Sequence, residues 1–165
     1  MHQDFKDLLS VFHDHGVKYL IIGGYAVSLH AQPRATKDLD LFIKPDAANG
    51  RAVYAALVAF GAPVESIREE DLVDRSSFIR LGREPVAVDI HSDIPGVDFD
   101  AAWESRVEAT IDPKSGFNAF FISRDDLIAS KLASGRTRDL ADVEDIREAV
   151  KSQQRDAKEK TPKTK

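Results

Sequence analysis

The chain has 165 residues, 42% of them hydrophobic and 31% charged, with a formal net charge of −5 and no cysteine. This length suits one globular domain with a buried core, and the absence of cysteine excludes disulfides and thiolate metal ligands. No apolar run is long enough to span a membrane, and the first residues lack the pattern of a secretion signal. We therefore expect a cytoplasmic protein.

The negative charge is concentrated in residues 1–150, which carry a formal −9, whereas residues 151–165 carry +4. An acidic body is not typical of a protein that binds duplex nucleic acid. The polar, basic end predicts a disordered tail, which acts either as a solubilising segment or as an arm that contacts nucleic acid. The expected organisation is one domain, 1–150, followed by a disordered basic tail, 151–165.

Helices and strands are predicted to alternate in the first half of the chain. Apolar residues recur at helical spacing between Phe5 and Phe12. Residues 17–23 form a continuous apolar run, typical of a strand buried on both faces, and residues 38–43 alternate as a second strand does. The predicted elements are a helix ending at Gly16, strand 17–23, helix 24–32, strand 38–43, helix 47–60 and a short edge strand near 64–67.

The second half is predicted to contain two hairpins and two helices. Ser123, with Asp126 three residues later, is a helix N-cap signature. The predicted elements are a hairpin of strands 76–81 and 85–92, a helical turn at 97–105, a hairpin of 106–112 and 117–123, and helices 124–134 and 138–150. This order predicts an α/β (α+β) fold with a mixed sheet, flanking helices and a short helical C-terminal part.

Carboxylates lie on one face of two predicted strands. Asp38 and Asp40 point the same way, because side chains alternate between the two faces of a strand. Asp89 likewise lies on the polar face of its strand. Like charges so placed repel each other unless a cation lies between them. Three such carboxylates indicate a magnesium site, and two ions would serve phosphoryl or nucleotidyl transfer.

Gly23 and Gly24 lie between the strand 17–23 and the helix that follows. A glycine turn at a helix N-terminus forms a phosphate cradle, because backbone N–H groups point outward and the helix dipole favours an anion. Taken alone, a Gly-Gly pair is often only a tight turn, and paired aspartates are often only a solvated strand face. Their combination in this order indicates a nucleotide site.

The sequence IIGG, followed after thirteen residues by DLDLF and later by AVDIH, resembles the nucleotidyltransferase superfamily with the DNA polymerase β-like fold. Residues 23–43 and 126–146 resemble its toxin-like branch, found in abortive-infection and type IV toxin–antitoxin systems. The resemblance covers about residues 17–147. It implies a mixed-sheet nucleotidyltransferase fold.

The resemblance also implies roles for individual residues. Asp38 and Asp40 would bind two Mg²⁺ ions, and Asp89 would complete the metal site and help to activate the acceptor. Gly23 and Gly24 would hold the nucleoside triphosphate.

The toxin-like branch usually carries a lysine in its penultimate helix and an aspartate after it. Lys131 and Asp139 match these positions, and Asp142 is a second candidate for the aspartate. Independently, Lys131 falls on the apolar stripe of its helix, so its ammonium group reaches either a cleft or a structural partner. Asp142 has the alternative of an i, i+4 surface pair with Arg138.

Arg34 and Thr36 precede the paired aspartates and are expected near the same site. Arg34 is a candidate for a phosphate contact, and the hydroxyl of Thr36 is a candidate for supporting a ligand. The alternative for both is an ordinary solvated loop.

The function that the resemblance implies is Mg²⁺-dependent transfer of a nucleoside monophosphate from a nucleoside triphosphate to an acceptor. The acceptor is left open between tRNA, a protein and a small molecule. A role as a toxin, with a cognate antitoxin protein as partner, is implied as well. The alternative is a catalytically inactive binding module that acts through a protein partner, as an antitoxin does. The complete set of three aspartates argues against it, because such a module does not need self-repelling charges.

Overall fold

A mixed sheet of six strands organises the computed structural model, which describes residues 1–76, 78–83 and 86–159, the side chains of 158 and 159 excepted. The strands are β1 (Tyr19–Ile21), β2 (Leu39–Ile43), β3 (Phe78–Arg83), β4 (Val86–His91), β5 (Val107–Asp112) and β6 (Phe117–Phe121).

The order of strands across the sheet is β3-β4-β2-β1-β6-β5. Strand β2 is parallel to β4, and β1 is parallel to β6, whereas the pairs β1–β2, β3–β4 and β5–β6 are antiparallel. Strand β1 lies inside the sheet, and each of its residues is 0% exposed. This explains its unbroken apolar sequence, because both faces of the strand are covered. The predicted mixed α/β fold is confirmed.

Helices pack on this sheet. They are α1 (Gln3–Asp14), α2 (Gly23–His30), α3 (Ala47–Phe60), α4 (Phe99–Glu104), α5 (Arg124–Ser134) and α6 (Thr137–Glu159). The Ser123 hydroxyl accepts from the N–H of Asp126 at 3.1 Å and begins α5, as predicted. Within the described part of the chain, no helix is long and apolar enough to cross a membrane.

Two predicted segments differ from the structure. The edge strand predicted near 64–67 is wrong: turns occupy this region, and a 3₁₀ helix, Glu69–Leu72, follows and packs against α3. Only Ile67 of the predicted strand is buried, so the segment has no apolar face with which to join a sheet.

Helix α6 extends to Glu159 rather than ending at 150, so residues 151–159 of the predicted disordered tail are helical. The Gln, Arg, Ala, Lys and Glu residues there are good helix formers, although they supply no apolar stripe. Residues 77, 84 and 85 of the predicted hairpin, and 160–165 of the tail, lie outside the described residues.

Asn49 fixes the position of β2 relative to its neighbours. Its side chain is buried on α3, and its Oδ1 accepts from the N–H of Lys18 at 2.8 Å. Its Nδ2 donates to the carbonyl oxygens of Lys18 and Lys44, each at 3.0 Å. Lys18 precedes β1 and Lys44 follows β2, so one amide holds α3 against the ends of both strands.

Replacing Asn49 should therefore destabilise the fold. We expect Asn49→Ala to lower the free energy of unfolding by about 2–3 kcal/mol, because three hydrogen bonds between a buried amide and the backbone are lost. Asn118→Ala removes an exposed amide whose Oδ1 accepts from Thr110 and should cost less than about 0.5 kcal/mol. Urea denaturation measures both values, and equal losses would contradict this role for Asn49.

Candidate active site

The turn from β1 into α2 lies directly against β2. Gly23, at φ +60°, has a conformation that favours glycine. A Cβ atom added to Gly23 would overlap the carboxylate of Asp40, and one added to Gly24 would overlap the hydroxyl of Thr36. The absence of both side chains therefore lets the turn approach Asp40 and Thr36 closely.

The register of the sheet brings the three predicted carboxylates together. Asp40 on β2 lies opposite Asp89 on the parallel strand β4. Asp38 precedes β2 and shares the face of Asp40. On the other side of β4, Arg80 of β3 lies opposite Asp89. Three negative charges and one positive charge thus occupy one face at the same end of the sheet.

Arg80 joins two of these carboxylates. Its Nη1 donates to both oxygens of Asp89, at 3.1 and 2.9 Å, and its Nη2 donates to Oδ2 of Asp38 at 3.2 Å. Arg80 is not among the site residues predicted from the sequence. The signal was present, since SSFIRL was predicted to pair with the strand of Asp89, but it required the hairpin register.

The carboxylates of Asp38 and Asp40 can accept a further hydrogen bond or bind a cation. Oδ1 of Asp38 is buried and has no hydrogen-bond partner within the described residues. Oδ1 of Asp40 lies 3.8 Å from Nε2 of His91, whose ring stacks on that of Phe78. A buried carboxylate oxygen without a partner is costly, so the place beside Asp38 favours a cation or a donor.

Asp89 has a different environment. It is 9% exposed, and burial raises its pKa, as do the charges of Asp40 and Asp38, against the lowering effect of Arg80. Both of its oxygens already accept from Arg80. Asp89 is therefore a buried carboxylate held by the exposed guanidinium of Arg80.

The fit of a metal ion differs among the three aspartates. Within residues 1–76, 78–83 and 86–159, no three His, Cys, Asp or Glu residues are arranged to hold a metal ion. Asp38 and Asp40 nevertheless present oxygen ligands of the kind that Mg²⁺ takes, one of them buried and without a partner. These two residues fit one divalent ion, whereas Arg80 occupies the oxygens of Asp89.

A second charged network lies across the cleft. Lys131 on α5 and Asp142 on α6 are both buried, at 8% and 2% exposed. The ammonium group of Lys131 donates to Asp139 at 2.8 Å and to Asp142 at 2.7 Å. Arg34 donates to both carboxylate oxygens of Asp142. The network therefore ties the loop before β2 to both C-terminal helices.

The network fixes the partners of Asp142 and Asp139 and lowers the pKa of both carboxyl groups. Asp142 is buried and binds Arg34 and Lys131, so the alternative of a surface pair with Arg138 is wrong. Burial opposes ionisation of Asp142, but the hydrogen bonds from Arg34 and Lys131 outweigh it and lower the pKa. The pKa of Asp139 is lowered in the same way, because bonds from Lys131 and Ser134 outweigh burial.

Most of the predicted site residues line one cleft of about 670 Å³ between the glycine turn, β2, α5 and α6. Asp89 does not line it but lies beside Asp40. The predicted residues in the lining are Gly23, Gly24, Arg34, Thr36, Asp38, Asp40, Lys131 and Asp139.

Residues 2–154 match the family described as nucleotidyltransferase of unknown function (DUF6036). The chain belongs to this family. The resemblance to the nucleotidyltransferase superfamily is thus confirmed, and with it the expectation of an enzyme; the toxin-like branch stays a prediction.

The fold of this nucleotidyltransferase also has a relative among solved structures. It is similar to the lincomycin-bound lincosamide antibiotic adenylyltransferase LnuA, with a TM-score of 0.54 and 19% identity. The similarity covers 89% of this chain and 96% of LnuA. No curated protein sequence matches the chain.

The contact between Gly23 and Asp40 predicts a large effect of a small substitution. Gly23→Ala should lower the free energy of unfolding by about 1–2 kcal/mol through backbone strain and by a further 1–3 kcal/mol, roughly, because the Asp40 carboxylate must shift. Gly16 is the matched control: its φ is +64°, and an added Cβ would meet no described atom within 4 Å. Urea denaturation of Gly16→Ala and Gly23→Ala should reveal the difference, and equal losses would refute the contact.

The buried network predicts a pH-dependent loss of stability. Asp142→Asn removes the carboxylate that binds Arg34 and leaves Lys131 with Asp139 alone, and it should cost about 3 kcal/mol at neutral pH. Because the folded pKa of Asp142 lies below its ordinary value of 3.8, its carboxylate stabilises the fold above that pH. The stabilisation is lost as the pH falls through the lowered pKa. The difference between wild type and Asp142→Asn should therefore shrink in acid.

Asp145→Asn serves as the control for this series, because Asp145 lies on the same helix and is exposed. It should change the free energy of unfolding by less than about 0.5 kcal/mol at any of these pH values. Chemical denaturation at pH 7 and at several acidic values measures both variants. A loss for Asp142→Asn that is small at pH 7, or that grows in acid, would contradict the network.

Proposed function

We propose that the protein transfers a nucleoside monophosphate from a nucleoside triphosphate to a hydroxyl group of a small-molecule acceptor, with the help of Mg²⁺. The observation that carries the proposal is the shared cleft, in which the glycine turn faces Asp40 and Lys131 lies across from both. A phosphate cradle, carboxylates for a divalent ion and a buried cation are the parts that nucleotidyl transfer needs.

The glycine turn and Lys131 would hold the triphosphate. Helix α2 begins at Gly23, so its first N–H groups and its dipole favour an anion there. The ammonium group of Lys131 has three donors, of which two are directed to Asp139 and Asp142. In the proposed complex the third donates to a phosphate oxygen.

Asp38 and Asp40 would hold a divalent ion, which supplies positive charge at the reacting phosphate. The acceptor oxygen forms a bond to the α-phosphorus, the bond from that phosphorus to the bridging oxygen breaks, and pyrophosphate leaves. Asp40 lines the cleft, and one of its two carboxylate oxygens would take the proton of the acceptor hydroxyl. For Asp89 we propose a positioning role through Arg80, instead of the direct activation expected from the resemblance, because both of its oxygens accept from that residue.

Arg34 and Thr36 would shape the same region. Arg34 is bound to Asp142, so we propose that it fixes the loop before β2 and does not grip the triphosphate. Thr36 would act through its contact with Gly24, by keeping the glycine turn close to the loop.

Two observations favour a small-molecule acceptor over tRNA or a protein. Residues 1–150 carry a formal −9, which disfavours a polyanion. The structurally similar protein is an antibiotic adenylyltransferase.

The test is transfer of α-labelled nucleotide. Purified protein is incubated with Mg²⁺, each labelled nucleoside triphosphate in turn, and separate pools of small molecules, tRNA and protein. We expect label in the small-molecule pool, and a loss of at least about a thousandfold in Asp38→Asn and Asp40→Asn, because the metal ligands act directly on the reacting phosphate. Asp14→Asn, which removes an exposed carboxylate at the end of α1, should retain the rate.

Each pool gives a defined answer. Label in tRNA or protein alone would refute the small-molecule acceptor while leaving nucleotidyl transfer in place, and would support the toxin role that the sequence resemblance implies. Absence of label in every pool, together with absence of triphosphate binding by calorimetry, would contradict the proposed function.

A further inference from the structure

We propose that Arg80 is a built-in cation that occupies the place of the second divalent ion, so that the nucleotide-free protein binds one divalent ion instead of two. The inference rests on the proposed ion site at Asp38 and Asp40. It departs from the pair of Mg²⁺ ions that the sequence resemblance implies.

The geometry of the guanidinium supports this role. Arg80 makes three hydrogen bonds of 2.9–3.2 Å to the oxygens of Asp89 and Asp38. A metal ion bridging the same two carboxylates would have to lie where the guanidinium lies. The position is set by the sheet, because Arg80 and Asp89 are register partners on adjacent strands.

The two oxygens of Asp38 then face different partners. Oδ2 accepts from Arg80, whereas Oδ1 is buried without a partner in the described residues. Arg80 thus binds one oxygen of Asp38 and leaves the other oxygen for the divalent ion. Each of the two oxygens of Asp38 is thus assigned to one cation.

The charges agree with a single divalent ion. Asp38, Asp40 and Asp89 together carry a formal −3 when ionised, and Arg80 reduces this to −2. One divalent cation balances the remainder. Without Arg80 the buried carboxylate of Asp89 would lose the cation that binds it, a costly state that a second divalent ion would relieve.

The test counts ions bound to the nucleotide-free protein. Mn²⁺ is titrated into the protein, and free Mn²⁺ is measured by electron paramagnetic resonance. We expect one bound ion for wild type and two for Arg80→Gln. Arg80→Lys keeps the positive charge and should restore a count of one, although it lacks the planar fork of arginine. A wild-type count other than one, or no additional ion in Arg80→Gln, would overturn the inference.

Arg83→Gln is the matched control. It removes the same charge from the same strand, but Arg83 is exposed and lies opposite Val86, not opposite Asp89, so it should leave the count at one. An equal gain in Arg83→Gln would show a general effect of charge and would overturn the inference.

Circular dichroism shows whether Arg80→Gln folds. If it does not fold, a second variant tests the inference. Asp89→Asn in the presence of Arg80 should leave one bound ion with an affinity within about threefold of wild type, because Asp89 is not a ligand of that ion. Loss of the ion in Asp89→Asn would overturn the inference.

The label-transfer assay separates this inference from the proposed function. An additional ion in Arg80→Gln with no transfer by wild type would leave the inference standing and the function refuted. Transfer by wild type with an unchanged ion count in Arg80→Gln would refute the inference alone.

Discussion

Electrostatic repulsion among three aspartates is the constraint on which the candidate site depends. Asp40 and Asp89 are neighbours on adjacent parallel strands, and Asp38 shares their face. Such an arrangement is unfavourable unless positive charge lies among the carboxylates. The chain supplies one cation itself, Arg80 on β3. The remaining negative charge lies at Asp38 and Asp40, beside the glycine turn, where a divalent ion and a triphosphate would complete the site.

The second charged network, on the other side of the cleft, also places cations among buried carboxylates. A lysine in a buried place needs carboxylate partners, and Asp139 and Asp142 supply them. Because Arg34 binds Asp142 as well, the loop that leads into β2 is joined to α5 and α6. The cation that faces the cleft and the strand that carries the aspartates are therefore held in a fixed relation. In the proposed function, Lys131 would in this way present an ammonium group to a phosphate from within an acidic protein.

Much of this arrangement could be predicted from the sequence, because it follows from local rules. The alternation of side chains in DLDLF places both aspartates on one face, and the Gly-Gly pair after an apolar run marks the turn. Arg80 could not be assigned without the register of β3 against β4, which depends on the geometry of the turn between the two strands. Asp142 was ambiguous for the same reason: its helical spacing favours Arg138, whereas tertiary packing buries it against Arg34 and Lys131. The predicted edge strand near 64–67 is wrong because a short apolar pattern does not reveal the 3₁₀ helix that follows it.

The most direct test of the account is a crystal structure with Mn²⁺ and a non-hydrolysable nucleoside triphosphate, in which anomalous scattering locates the metal. The account predicts the triphosphate at Gly23 and Gly24, with Lys131 on a phosphate oxygen. It also predicts Mn²⁺ on Asp38 and Asp40, with Arg80 still bound to Asp89. A nucleotide outside this cleft, or Mn²⁺ on Asp89 in place of the guanidinium, would contradict it.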